Sequence, residues 1–587
     1  LGNAANFVQL EGGKSLPAGA TVAWTNTINN STTGTKSAVA RVTYSDGSTD
    51  DVTVNYKVLA TIAPKGPVND IQGTNPHNGT LWHDYVNKEG SDAYPSGASQ
   101  TWRKNGQPVA NSPISTAETG RNNYQVTFTY PVGRTGAGDT TKLSKTVDVV
   151  HDVYKFESDR SYIFTQNKTD EQGYKQAAAN PKEAVTRVTG SPDFNATNTN
   201  YKWVDGAPSL TTVGTFTKQV EVELPADSTG VRVKQNVPVT VKVNPQAPEI
   251  AADSVTEKGG LPNRSIVVTN VTPGATVTLT IGTQIFTKKS TGTSVTFEPS
   301  DLKRATDANN GLLPTGDVTV KQEKVVTTPA GGTETLTSAT TTKTITAETE
   351  KPNVTVKVEI FNKETNSWVE APRFPNNSDK VYKVYPGDKF RVMVETSDNS
   401  GKVKNIEAWN NETNEQTQWV TTKIVDDFAT GGIANQKTND PVEASLAKPY
   451  THQLTTDGIY NANQVFNPRT DYTRTPTPDN DATSPNTWTR FARVRDLSGN
   501  TRVEKYIIRQ APLSEKYTPN SPAVIQVTNV TNPTEQDRAK ILKEIKEANK
   551  NAKQVKSYAV DDNGNVIVTY DDNTTDIFKP TLSDSDS

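Results

Sequence analysis

Tyr44-Ser45-Asp46-Gly47-Ser48-Thr49-Asp50 lies between two runs that alternate apolar and polar residues. Before it stand Val39 and Arg41-Val42-Thr43; after it comes Val52-Thr53-Val54-Asn55-Tyr56-Lys57-Val58. Alternation marks strands with one buried face, and Asp-Gly between two such runs is a strong hairpin signal because glycine tolerates positive φ. The stretch reads as an antiparallel hairpin. Upstream of it, Phe7-Val8, Leu16-Pro17-Ala18-Gly19 and Trp24 follow in order, with Gly34 after the tryptophan.

The same order recurs, and internal repeats decide how a long chain is read. Tyr85-Val86, Tyr94-Pro95-Ser96-Gly97 and Trp102 keep the spacing of the first block, and Gly120 precedes the alternating run Tyr124–Tyr130. A third block keeps Val188 and Trp203 but lacks the Pro-x-Gly, and continues through Gly214, Val220–Leu224 and Val237–Val243. One tryptophan at a fixed place in each repeat reads as a core anchor, because an aromatic buries a large area. A ligand platform is the alternative. These blocks resemble the Rib-type domains of Gram-positive surface proteins, whose hallmark is a Tyr-Pro-Asp-Gly-like turn closing the domain. Tyr44-Ser45-Asp46-Gly47, Tyr130-Pro131-Val132-Gly133 and Leu224-Pro225-Ala226-Asp227 stand at that place, with decreasing fidelity. The resemblance implies compact sandwiches used as spacers. The first block reads as lacking its opening strand.

From residue 250 the texture changes. Ser265–Thr269 and Ala275–Ile281 are strand-like around Thr272-Pro273-Gly274, Val318-Thr319-Val320 follows, and a Thr-rich run over 332–347 carries Leu336 and Ile345. This resembles bacterial Ig-like modules. A larger module opens on Val354–Ile360, turns at Tyr385-Pro386-Gly387-Asp388, and carries two similar loops, Asp398-Asn399-Ser400-Gly401 and Asp496-Leu497-Ser498-Gly499-Asn500. Its stretch 425–487 is long, polar and poor in strand signals, so it reads either as a ligand-facing insertion or as a passive loop. At the end, Thr534 caps a helix whose apolar face is Ala539, Ile541, Leu542, Ile545 and Ala548, followed by strands around Asn563-Gly564 and 571–576. Similar helix-plus-hairpin modules occur in streptococcal and staphylococcal surface proteins. Ser583-Asp584-Ser585-Asp586-Ser587 reads as a disordered tail.

The fold expected is therefore mainly β: an elongated tandem array of small Ig-like and Rib-like β-sandwich domains ending in a small α+β module. The divisions fall at 1–63, 64–156, 157–249, 250–349, 350–512 and 520–580, with a tail at 581–587. Composition agrees. At 587 residues, about four to six domains are expected. The hydrophobic fraction is 32%, below the ~45–50% of a typical chain even with its glycines added, as small domains with much surface would show.

Several functions are disfavoured. The net charge is -3 and no long basic run exists, so a phosphate backbone has no partner. No apolar run approaches the ~18 residues of a membrane span. The absence of cysteine excludes disulfides, thiolate catalysis and Cys-bound metals. Leu1-Gly2-Asn3-Ala4-Ala5-Asn6 lacks the features of a signal peptide, so the sequence reads as a piece of something larger. Leu313-Pro314-Thr315-Gly316 is one residue short of a sortase signal and lies mid-chain, so any wall anchor is expected elsewhere.

No catalytic motif is found, and no catalytic or cofactor-binding residue is assigned. His77, His83 and Asp84 are the nearest approach to a transition-metal set, but a six-residue gap suits neither a helix face nor a strand face. Calcium is the fairer candidate, with Asp398, Asp496 and Asn500 as hard oxygen ligands, should their two loops converge at one end of the large module. The alternative is that these residues simply make turns. Asp561-Asp562-Asn563-Gly564-Asn565 lacks the acidic ladder and final Glu of an EF-hand.

The mixture of modules resembles the giant staphylococcal extracellular-matrix-binding proteins. That resemblance implies a secreted, wall-associated, non-catalytic stalk, a monomeric rod that contributes to host-matrix attachment, for example to fibronectin, and to biofilm. The helical arrays of that family are absent here. A directly ligand-binding region centred on 350–512 is the alternative.

Overall fold

A computed structural model describes residues 1–75, 77, 81–109, 114–133, 142–374, 381–409, 441–454, 458–459 and 487–585. The chain divides into two compact units, one of residues 1–246 with 322–339 and the other of 247–321 with 340–587. Both are built from many small sheets of tandem β domains.

In the first unit, one plan is used three times. A short strand ending at or passing through the repeat tryptophan pairs antiparallel with a long strand, which turns back into a closing strand. The sets are Thr21–Trp24, Gly34–Thr43 and Thr49–Val58; Ser99–Lys104, Gly120–Gly133 and Lys142–Glu157; and Asn200–Trp203, Gly214–Glu223 and Lys234–Asn244. Trp24 stands opposite Ala40, Trp102 opposite Val126 and Trp203 opposite Val220. Thr43 pairs with Thr49, so the hairpin closes around Asp46-Gly47 as the alternation requires.

The two Pro-x-Gly turns also coincide in structure. Ala20 N–H donates to the Pro17 carbonyl at 3.1 Å, and Ala98 N–H to that of Pro95 at 3.2 Å. Gly19 and Gly97 have φ of +84° and +89°. A Cβ at either would also stand 3.3–3.4 Å from Ser45 or Pro131, at the end of the facing strand. Positive φ favours glycine at both positions, and at Gly19 the approach to Ser45 is tight as well.

The second and third repeats add a strand. Val68–Ile71 runs parallel to Lys142–Glu157, and Ser161–Thr165 runs parallel to Lys234–Asn244. Each of these repeats thus begins and ends on neighbouring parallel strands. The first sheet has three strands and no such partner among the described residues. Lys142–Glu157 runs across the division expected at 156. Its last residues pair with Arg187–Thr189, and Tyr154 and Phe156 pack with Ile71, Val222, Leu224 and Val237. The main cores stay separate: Trp102 with Tyr85, Val126 and Phe128 in one, Trp203 with Tyr162, Val220 and Val241 in the other.

In the second unit, Ile266–Thr269 pairs with Glu249–Ile250 and Val295–Phe297, while Thr276–Ile281 pairs with Gln284–Lys289. Leu279, Phe297, Leu313 and Ile345 share their core. Leu313 is fully buried and Gly316 opens a strand, so the sortase-like tetrapeptide is part of a packed domain.

The 350–512 region is a sandwich. One sheet holds Ser367–Glu370, Asn353–Asn362, Lys389–Ser397 and Tyr450–Gln453; the other holds Val381–Val384, Thr501–Gln510, Thr487–Arg495 and Asn405–Trp409. Val358, Val392 and Val394 from the first meet Ile406, Val494, Tyr506 and Ile508 from the second. Within the stretch 425–487, Val442–Glu443, Tyr450–Gln453 and Gly458–Ile459 are strands, each too short to show a periodicity. The rest of that expected insertion lies outside the described residues.

The last module holds the helix Glu535–Ala548, closed by a capping box. The Asp537 N–H donates to Thr534 Oγ1 and the Thr534 N–H to Asp537 Oδ2, both at 3.1 Å. Ile541 and Ile545 are buried, whereas Ala539 is exposed. At 100° per residue, position 539 falls nearly opposite 541, which corrects the five-residue face read from the sequence. The expected tail is also corrected. Leu582–Asp584 forms a strand, parallel to Ile525–Val527, and only the residues beyond 585 lie outside the description.

Candidate metal centre

The two Asp-led loops leave neighbouring ends of the sandwich strands Lys389–Ser397 and Thr487–Arg495. Each aspartate folds its own loop. Asp398 Oδ2 accepts from the Ser400 N–H at 3.1 Å and from Ser400 Oγ at 2.5 Å. Asp496 Oδ1 accepts from the Asn500 N–H at 2.8 Å, and its Oδ2 from Asn500 Nδ2 at 2.9 Å. Gly401 and Gly499 complete the turns at φ +78° and +90°. This local bonding is what Asp and Asn do in turns, and it fixes where the remaining oxygens face.

The two loops converge, and a third acid joins them. Glu348 follows the strand Thr341–Ile345, with its N–H bonded to the Gly259 carbonyl at 2.8 Å. Glu348, Asp398 and Asp496 are 3%, 2% and 0% exposed. One carboxylate oxygen of each lies within 4.8 Å of the others. Asn500 Nδ2 donates to Glu348 Oε1 at 2.9 Å, and Asn399 Nδ2 reaches Glu350 Oε2 at 2.8 Å. Asp398 Oδ1 and Asn399 Oδ1 are buried and accept no hydrogen bond.

The electrostatics follow from this crowding. Burial raises the Asp496 carboxyl well above the usual carboxylate range, helped by its hydrogen bond to Glu348 and the charge of Asp398. Burial also raises Asp398, with Glu348 and Glu350 adding to the shift against the Ser400 hydrogen bonds. No Lys or Arg forms an ion pair with any of the three acids among the described residues.

The histidines group differently from their sequence spacing. His83 is exposed and stacks on Tyr94 at 5.6 Å. His77 instead bridges Asp70, through Nδ1 at 3.0 Å, and Asp227, through Nε2 at 3.0 Å, while His151 Nε2 meets the other Asp70 oxygen at 2.7 Å. Asp227 belongs to the third repeat and also accepts from the Asn69 N–H at 3.0 Å, so this chain of groups ties two repeats together. Burial lowers His77, but its bonds to Asp227 and Asp70 outweigh it and raise the imidazole to about 9. Burial likewise raises Asp227, but His77 and the Thr229 and Asn69 donors bring it down to about 2.

A pH dependence follows. A raised histidine stabilises fully below its unfolded pKa of ~6.5 and loses that contribution as pH rises through about 9. A depressed aspartate stabilises above its unfolded value of ~3.9 and loses it as pH falls through about 2. The first unit is therefore expected to be most stable between about pH 4 and 6.5. Thermal unfolding should show its melting point falling by a few degrees between pH 6.5 and 9, and His77→Asn should flatten that alkaline limb. An unchanged limb in the variant would sink the assignment.

The remaining candidate does not extend the site. Asp561 Oδ1 accepts from the Asn563 and Asn565 N–H groups at 2.9 and 2.8 Å, a turn in the last module. Glu348 carries little signal in the sequence, because it sits in a connecting segment, Ala347-Glu348-Thr349-Glu350-Lys351-Pro352, where the paired acids are the one available cue.

Fold and site together define a tandem array of small β domains with Rib-type modules. Residues 3–60 match the Rib domain, and residues 517–582 match the atypical Rib domain, which is the helix-plus-hairpin module. The chain is similar to the streptococcal hemagglutinin of Streptococcus gordonii, with 26% identity over 215 residues, covering 35% of this chain and 9% of that protein. It is similar to the extracellular matrix-binding protein ebh of Staphylococcus aureus, with 29% identity over 259 residues, covering 43% of this chain and 2% of that protein. The chain therefore spans only a small part of these relatives. Among solved structures, the SrpA adhesin of Streptococcus sanguinis aligns at 20% identity and a TM-score of 0.25, covering 40% of this chain and 96% of that one. The sialic acid binding region of the Streptococcus sanguinis SK1 adhesin aligns at 16% identity and a TM-score of 0.27, covering 90% and 98%. No helix among the described residues is long and apolar enough to cross a membrane.

Proposed function

We propose that this chain is a non-catalytic stretch of a Gram-positive cell-surface adhesin, displayed outside the cell as a stalk that contributes to host-matrix attachment and biofilm. The observation that carries the reading is the repeated sheet plan of the first unit, with a tryptophan core in the second and third copies. Copying one self-contained core lengthens a chain without requiring any copy to hold a site. The Rib match at 3–60 and the relatives named as a hemagglutinin and a matrix-binding protein support the surface setting.

Two measurements on the 587-residue chain test this. Small-angle scattering is expected to give the profile of a rod, and a compact particle would count against a stalk. A solid-phase assay on fibronectin and other matrix proteins is expected to show no saturable binding. Saturable binding would favour the adhesin reading centred on 350–512, and epitope-blocking antibodies against that region would then locate it.

A further inference from the structure

We propose that Glu348, Asp398 and Asp496 form a calcium site that ties the segment after the Thr341–Ile345 strand to both Asp-led loops of the sandwich. Three carboxylates at most 3% exposed, with one oxygen from each within 4.8 Å, repel one another strongly unless a proton or a cation sits among them. The described residues supply no ion pair from Lys or Arg to any of them. The second observation is independent of the clustering. Asp398 Oδ1 is buried without any hydrogen-bond donor, and so is the Asn399 carbonyl oxygen beside it. Buried acceptors in folded proteins are nearly always satisfied, so two orphans at one acid cluster call for a missing partner.

The chemistry of the donors selects the ion. All are oxygens: the three carboxylates, Asp398 Oδ1 among them, and the Asn399 side-chain carbonyl make four side chains toward the six to eight ligands that calcium takes at irregular geometry. Asn500 adds another when its amide turns over: it now directs its NH2 at Glu348 Oε1 and Asp496 Oδ2, and the same side chain rotated presents its carbonyl. Zinc would ask for imidazole or thiolate in a tetrahedron, and magnesium for a near-ideal octahedron that keeps its waters. The inference holds whether the chain is a stalk or a ligand-binding region, so either reading of function can fail without it.

The test uses the 587-residue chain, stripped with EDTA and titrated with calcium chloride. Calorimetry is expected to show saturable binding. The transition of the sandwich should rise by about 5–10 °C when calcium reaches a hundredfold excess over its dissociation constant, and magnesium should not reproduce this. Asp398→Asn and Glu348→Gln should each abolish the rise while melting higher than the parent in EDTA, because a repelling charge is gone. Asp561→Asn, in the turn of the last module, should keep the full rise. Absence of calcium heat in the parent would overturn the proposal, whatever the variants do. So would a calcium response that survives both Asp398→Asn and Glu348→Gln, since the ion would then lie elsewhere.

Discussion

Truncating either member of the Glu407–Arg493 pair is expected to destabilise the sandwich by about 3–5 kcal/mol. The two residues stand directly opposite on the antiparallel strands Asn405–Trp409 and Thr487–Arg495. Both are 1% exposed, and an Arg493 Nη2 hydrogen bond reaches Glu407 Oε1. One rung along, Arg495 donates to Asn405 Oδ1 at 3.0 Å and 2.6 Å, which holds the neighbouring guanidinium in place. Taking two charges out of water is costly, and their attraction roughly offsets that cost while both are present. Glu407→Ala removes the carboxylate that faces a buried guanidinium, and Arg493→Ala removes the guanidinium that faces a buried carboxylate. The paired replacement Glu407→Leu with Arg493→Met removes both charges and should recover most of the loss. Urea unfolding of the three variants reads this directly. Single variants within 1 kcal/mol of the parent would show that the pair is solvated in solution.

The repeat tryptophans carry the second large effect, and they are expected to differ. Trp102→Ala and Trp203→Ala should each cost about 3–5 kcal/mol, the range for deleting a large buried aromatic. Trp102 is 3% exposed, edge-on to Tyr85 and Tyr124 at 6.0 and 6.1 Å. Trp203 is 6% exposed, edge-on to Tyr162, with its indole N–H bonded to the Ala177 carbonyl at 3.0 Å. Trp24 is less deeply buried, tilted against Phe7 at 5.7 Å and bonded through its indole N–H to the Gly2 carbonyl at 2.9 Å. Its truncation should cost less than either, since it keeps more of its surface in water. Denaturant titration of the three variants ranks them. A Trp24→Ala loss equal to the other two would contradict the burial described above.

Much of this architecture was legible because it is local. Asp46-Gly47 between alternating runs, and glycines two residues after Pro17 and Pro95, specify backbone conformations within a few residues of themselves. The loops of Asp398 and Asp496 were visible for the same reason, and their likeness was enough to suggest that they meet. Glu348 was not visible, because only folding brings an acid of a connecting segment beside loops 50 and 148 residues away. The His77 grouping was hidden for the same reason: its partner Asp227 lies 150 positions on. Composition misled at the end of the chain. Ser and Asp read as disorder, yet parallel pairing with Ile525–Val527 satisfies the backbone of Leu582–Asp584 whatever its side chains.

Three modules begin and end on adjacent parallel strands: Val68–Ile71 with Lys142–Glu157, Ser161–Thr165 with Lys234–Asn244, and Ile525–Val527 with Leu582–Asp584. That arrangement sets how each responds to tension applied through its two ends. The pull acts along the strands in opposite directions, so the inter-strand hydrogen bonds are loaded together and must shear as a set. Strands antiparallel at the termini would instead peel apart one bond at a time. The same backbone ladder that closes each domain is thus also its mechanical clamp, one whose bonds share the load.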